Sequence, residues 1–419
     1  MFQFSAMKGL LNDSITQMTM STNKLTLMKN QVVQGKVLNL FPDQKALIQV
    51  GHSKLIAQLE ASINTSERYW FRVNGSEKQG LQLKIIKQVE RDHFTNQSVA
   101  KDLLLMFQQK TSKDNILLAS ELAKDHIPFT KEQLLTSIEM LKDISKTDIT
   151  TFIEAVKYVI KQDFPLTENV IKSLIQAKSN IPLANQIDTL LHSIQSMEQP
   201  SELVKQLQHS ILNLRQTSND LLSLRPFDLE LENGLLIKEA SVEIQTVREI
   251  LGVVSKEEVV GPLVKDQIDS LLYRLNGQPL LQQDIGPTSQ MITQVPLFAL
   301  NNTDLTIQWN GKKLGNGKID PSFCRILFYL QLPTLKETMV DVQIQNRVMK
   351  IIITNNLEVL KPLVSQHTDK LKELLNEMDY YLSSIQVVSF DPTDKQNHSK
   401  TQLNITSRNE SYTRIDVKV

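Results

Sequence analysis

The chain holds a single cysteine, Cys324, among 419 residues, so no disulfide can form within it. That fits a reducing cytosol, and equally an exported protein that needs no covalent brace. Cys324 lies in the apolar run Ile319 to Leu332, where a thiol serves as a small buried hydrophobe. Net charge is also missing, because 46 basic residues balance 46 acidic ones. A dedicated nucleic-acid binder carries a basic excess to neutralise phosphates. Nucleic acid is therefore not the expected partner, although overall neutrality does not forbid a local basic patch. No apolar run approaches the roughly 18 residues a membrane span needs, so no membrane insertion is expected. The start, MFQFSAMKGLLNDSITQMTM, lacks the basic residues and apolar core of a secretory signal. Residues 1–30 read instead as a flexible segment, of the kind type III export substrates also carry.

The chemistry of catalysis is equally thin. Seven histidines (His52, His93, His126, His192, His209, His367 and His398) are scattered, and no two share metal-ligand spacing on one helix. There is no Gly-x-Ser-x-Gly elbow for a serine nucleophile. Gly311 to Lys318 resembles a phosphate loop only at first sight. Five residues separate its glycines where four are needed, and Ile319 stands where Ser or Thr must follow the lysine. Carboxylates are too plentiful for any pair to be singled out for acid–base work. No catalytic, cofactor or metal site is expected, and the chain does not read as an enzyme. A hydrolase assembled from non-sequential residues would need a polar pocket with perturbed carboxylates or histidines.

What is present reads as an α+β multidomain protein. Residues 31–90 show five short alternating segments, around Val33–Leu38, Ala46–Val50, Leu55–Leu59, Trp70–Val73 and Leu81–Ile85, separated by turn signals. That spacing predicts a small β-barrel, OB-like or SH3-like. Its aromatic cluster, Tyr69-Trp70-Phe71, is the platform on which a nucleic-acid-binding alternative rests. In a strand Trp70 and Phe71 point to opposite faces, so at least one belongs to the core.

Residues 97–215 read as one helical domain with an internal repeat. Ile127-Pro128-Phe129-Thr130 recurs as Phe164-Pro165-Leu166-Thr167, and more weakly as Ile181-Pro182-Leu183-Ala184. Thr130 and Thr167 are predicted N-caps, with Gln133 completing a capping box in the first copy. Phe129 with Leu134, and Leu166 with Ile171, have the spacing of a hydrophobic staple. The third copy has alanine at the cap position. Three weak units favour a plain bundle over a helical-repeat binding surface. Residues 216–288 read as a connecting region with short helices near 242–251 and 257–275, and a turn at Asn276-Gly277-Gln278-Pro279.

Residues 289–419 read as hairpins packed on one long helix. Met291 to Leu297 is a strand, and Leu305, Ile307 and Trp309 alternate into Asn310-Gly311, a hairpin-turn signal. The run Ile319 to Leu332, a break at Pro333, and the alternating Val340, Val342 and Ile344 follow. Met349, Ile351 and Ile353 alternate after Asn346-Arg347. Leu360, Val364, His367, Leu371, Leu374, Leu375 and Met378 lie at helical spacing, with His367 on the apolar face. Ile385, Val387 and Phe390 return as a strand, and Ile415, Val417 and Val419 would close the domain.

This order resembles the C-terminal domain of flagellar hook-length control proteins. The resemblance rests on Leu330-Gln331-Leu332-Pro333-Thr334-Leu335 and on the strands and helix from Met339 to Val388, about a quarter of the chain. Leu275-Asn276-Gly277-Gln278-Pro279 and Gly317 to Leu330 look closest to a longer, uncharacterised Gram-positive group carrying this domain. The pattern departs from the family at two places. Leu335 follows Pro333 by two residues rather than three, and Lys336 replaces a glycine, the residue that tolerates backbone angles lysine avoids. Folded helices also stand where flagellar members carry a Pro/Gln/Ser-rich ruler. The resemblance implies a regulator in the cytoplasm, or exported through the flagellar type III apparatus, that binds a protein of the export-gate switch type. Its expected contact residues are Pro333, Leu335, Lys336 and Glu337 in the break, or Arg347 at the edge of the second hairpin, where edge-strand pairing is a natural mode.

Overall fold

The computed structural model describes residues 27–390 apart from 52, 61–62, 76–80, 90–95, 146–147, 224–231, 258–260, 286–287 and 316–318. Most of the N-terminal segment 1–30 and the closing strand at Ile415 to Val419 lie outside the described residues. The architecture is mixed α+β. The chain forms two compact units, one ending at Lys178 and one beginning at Ser179. That division falls inside the segment read from the sequence as one helical domain, 97–215.

In the first unit, alternating apolar residues build β1 (Gln31–Phe41), β2 (Lys45–Val50), β3 (Ser53–Leu59), β4 (Arg68–Val73) and β5 (Gln82–Val89). β1 pairs with β2, β2 with β3, β3 with β5, β5 with β4, and β4 again with β1. All are antiparallel except β3–β5. Asp43 and Gln44 both take positive φ in the three-residue turn Pro42-Asp43-Gln44 that joins β1 to β2. Gly35 is required by close approach, since a Cβ there would stand 2.6 Å from Ile48 Cγ2. Val33, Val37, Ile48, Tyr69, Phe71 and Leu83 fill the core inside these strands.

Among the described residues of this unit five helices follow: α1 (Asn96–Met106), α2 (Lys113–Lys124), α3 (Lys131–Leu141), α4 (Ile149–Lys161) and α5 (Glu168–Ala177). The repeat begins α3 and α5. The Thr130 hydroxyl accepts from Gln133 N at 3.0 Å, and the Gln133 side chain accepts from Thr130 N at 2.8 Å, a complete capping box. Thr167 accepts from Val170 N at 3.4 Å. Phe129-Thr130 also forms a two-residue strand, β6, on β1. Phe129 thereby comes edge-on to Trp70, with ring centroids 6.3 Å apart, and covers the outward side of β4.

The second unit opens with α6 (Leu183–Gln195), α7 (Glu202–Ser223), α8 (Glu232–Val254) and α9 (Pro262–Leu280). Leu190, Leu207, Ile211, Val247, Leu251 and Ile268 form their shared core. The short helices expected in 216–288 are thus parts of long ones, of 23 residues in α8 and 19 in α9. The expected turn at 276–279 is the last turn of α9, where Pro279 gives up one ladder hydrogen bond. A seven-stranded sheet follows in chain order: β7 (Gln283–Ile285), β8 (Thr288–Leu297), β9 (Thr303–Lys313), β10 (Ile319–Leu332), β11 (Lys336–Gln345), β12 (Val348–Thr354) and β13 (Tyr381–Val388). Only β12–β13 is parallel, and α10 (Leu360–Glu377) makes the crossover that a parallel pair needs. Leu371 of α10 packs on Val342, Ile344, Ile351 and their neighbours. His367 is exposed, so it is not a core histidine.

One sequence expectation fails inside this sheet. Asn310-Gly311 is not a turn, because β9 runs through it to Lys313. Gly311 pairs with Cys324, and a side chain there would collide with Ile319 and crowd Cys324. The glycine serves close strand approach rather than chain reversal.

Candidate protein-docking site

The expected contact residues fall at two ends of one strand. β10 and β11 pair from Phe323↔Gln345 to Leu332↔Lys336, and the chain turns between them at Pro333-Thr334-Leu335. Lys336 takes φ 58°, the left-handed region that favours glycine. Asn355, 2% exposed, holds this turn from behind. Its amide nitrogen donates to Leu335 O at 2.7 Å, Thr338 Oγ1 at 2.8 Å and Glu337 O at 3.2 Å. Its oxygen accepts from Leu357 N at 2.7 Å. Sequence reasoning missed Asn355, which looked like an ordinary polar residue after an apolar strand.

A cavity of about 420 Å³ opens beside the turn. Leu335, Lys336, Glu337, Tyr329, Asn356 and Phe390 contribute to its lining. Pro333 lies in the same turn but not in the lining. Asp304 of β9 also reaches the cavity and carries an unexpected task. Helix α6 starts at Leu183, two residues earlier than the repeat predicts, after Pro182, which has no side-chain cap. Asp304 supplies the cap from outside, accepting from Leu183 N at 2.6 Å and Ala184 N at 3.0 Å. Arg274 of α9, fully buried, lies 3.5 Å from the same carboxylate. It also donates to Ile181 O, to Gln186 Oε1 at 2.9 Å and to Gln294 Oε1 at 3.1 Å. Burial pushes the Asp304 carboxyl above the usual carboxylate range, while Arg274 and the two N–H donors pull it back. Both carboxylate oxygens are engaged in holding the fold, which leaves neither for acid–base chemistry.

Arg347 sits elsewhere. Asn346 and Arg347 have φ of 51° and 64°, the geometry of a primed two-residue turn. The Arg347 guanidinium meets Asp379 at 3.2 Å and stacks over the Tyr380 ring at 5.8 Å. Its carbonyl accepts from Tyr381 N at 2.9 Å. Arg347 therefore clamps the return of the chain from α10 into β13. The ten residues of β11 separate it from Lys336 by about 30 Å. The β11–β12 hairpin is not an edge, because β12 already pairs with β13; among the described residues the outer strands of the sheet are β7 and β13. Phe323, Val348 and Tyr381 lie exposed in one row across this end of the sheet.

Other sequence candidates also find their places. Burial, then the nearby Asp320 charge, push the Cys324 thiol pKa up, which disfavours the thiolate a nucleophile needs. Tyr69, Trp70 and Phe71 are 4%, 2% and 0% exposed, so none offers a stacking surface. Among the described residues no group of three or more His, Cys, Asp or Glu side chains could hold a metal ion. No helix among them is long and apolar enough to cross a membrane.

No protein-family model matches the chain, and no solved structure matches it. It is similar to the uncharacterized protein YlqG of Bacillus subtilis (strain 168), at 22% identity over 529 aligned residues. That similarity covers 89% of this chain and 92% of YlqG. It therefore runs through both compact units rather than the C-terminal sheet alone.

Proposed function

We propose that this protein is a non-enzymatic regulator or adaptor of the hook-length control kind, whose C-terminal α+β unit binds a protein of the export-gate switch type. The observation that carries the reading is the cavity beside the β10–β11 turn. Three residues singled out by the resemblance, Leu335, Lys336 and Glu337, line it. The left-handed backbone at Lys336, where the resembling family has glycine, supports the same reading. So does the order of strand, break, strand, strand, helix and strand from β10 to β13. The setting is the cytoplasm, or passage through the flagellar type III apparatus. In the first unit, the closed circuit of five paired strands with a parallel β3–β5 contact supports reading it as a small OB-like barrel.

A photoreactive side chain at position 336 of the full-length protein tests the docking site. Irradiation beside the purified cytoplasmic domain of the host's export-switch protein should yield a cross-linked pair. The same probe at exposed Leu263 of α9 should yield none. Equal cross-linking from both positions would contradict the assignment.

A further inference from the structure

The first unit carries a surface that neither the resemblance nor the aromatic cluster identified. On β1, β2 and β3 the core-facing side chains are Val37, Ala46, Ile48, Ala57 and Leu59. The opposite side forms three rows set by the strand register. Lys36, Gln49 and Lys54 make the first row. Asn39, Leu47 and Ile56 make the second, and Phe41, Lys45 and Gln58 the third. None of these nine positions is acidic. Lys45, Lys54, Asn39 and Gln58 are exposed, and so are two large apolar side chains, Ile56 at 60% and Phe41 at 40%. The nearest carboxylates by sequence stand outside the rows: Asp43 is in the β1–β2 turn, and Glu60, past the end of β3, accepts from Asn74.

We infer that this β1–β2–β3 face binds single-stranded nucleic acid. Three ammonium groups flank an apolar middle row on a rigid sheet, with strands about 4.8 Å apart and rows about 7 Å apart. Phosphates pair with Lys36, Lys45 and Lys54. Unstacked bases lie on Phe41, Leu47 and Ile56, and the amides of Asn39, Gln49 and Gln58 meet base or sugar edges. A duplex keeps its base faces stacked and has nothing to offer the apolar row, so the pattern favours a single strand. Whole-chain neutrality is no obstacle, because the nine face positions gather three lysines and no carboxylate. The site belongs to the first unit and stands or falls independently of the docking cavity in the second.

Fluorescence anisotropy of the full-length protein with a labelled 20-nucleotide single strand tests this. Three phosphate contacts give a slope of about −2 for log K against log salt, hence roughly twentyfold weaker binding at 200 mM than at 50 mM salt. Replacing all three lysines (K36Q, K45Q, K54Q) should abolish binding and that slope. Phe41→Ala should weaken binding severalfold while leaving the slope unchanged, an outcome that charge alone does not produce. Circular dichroism checks that each variant keeps its fold. The inference is overturned by no binding at 50 mM salt, by binding that the triple variant retains, or by equal affinity for duplex. It is also overturned if vesicles of one-third anionic lipid bind through Phe41 while the single strand does not.

Discussion

Lys336 takes a conformation that glycine adopts without cost and lysine does not, at the mouth of the proposed docking cavity. A left-handed non-glycine residue costs about 1–2 kcal/mol, against about 0.5–1 kcal/mol of extra chain entropy lost by glycine. Lys336→Gly should therefore raise unfolding stability by about 0.5 kcal/mol in urea, with an unchanged denaturant slope. A loss of stability would mean that the Lys336 side chain makes a contact worth more than the strain. Asn355 acts in the opposite sense. Asn355→Ala leaves the buried Thr338 hydroxyl and the part-buried carbonyls of Leu335 and Glu337 without this donor, and should cost about 1–3 kcal/mol. Cys324 gives a chemical check. With its pKa raised by partial burial and the Asp320 charge, Cys324 in the folded protein at pH 8 should react with iodoacetamide more slowly than in urea. Equal or faster alkylation in the folded state would contradict that direction; Cys324 is half-buried rather than the fully buried hydrophobe its apolar run suggested.

At the scale of elements, α3 and α6 show what a sequence can and cannot disclose. The capping box of α3 was legible because Thr130 and Gln133 are three residues apart and satisfy each other. The start of α6 was not, because its cap, Asp304, comes from a strand 121 residues away from Leu183. Breaking that cap also strands a buried guanidinium. Asp304→Ala should destabilise by about 3–5 kcal/mol, whereas Arg274→Met combined with Asp304→Leu should lie closer to wild type than either single change. Equilibrium urea unfolding of the three variants reads this directly, and additive losses would contradict the coupling. The same contrast explains Gly311. Asn-Gly is a strong local turn signal, but the pairing of β9 with β10 decides the outcome. The alternation of Val340, Val342 and Ile344 survived because it agrees with its sheet.

For the whole molecule, the strands and most helices were legible, and the grouping of helices was not. Helices α5 and α6 are separated only by Lys178 to Pro182, and both carry apolar stripes. Which core each stripe joins depends on partners far along the chain. Ile187 and Leu190 of α6 pack with Val247 and Ile268 of the second unit. Residues 1–178 and 179–419, produced separately, should each show a cooperative thermal transition. A fragment without one would contradict the two-unit division. The proposed site was legible in part. Of the residues the resemblance nominated, Leu335, Lys336 and Glu337 line one cavity, whereas Arg347 lies at the far end of β11 against Asp379 and Tyr380.

The most direct test of the proposed regulator function is a calorimetric titration of the full-length protein with the purified cytoplasmic domain of its host's export-gate switch protein. The account predicts saturable one-to-one binding, weakened at least tenfold when Lys336→Glu and Glu337→Lys are introduced together, and unchanged by the lysine substitutions on the β1–β2–β3 face. Absence of binding, or binding indifferent to the 336–337 exchange, would contradict it.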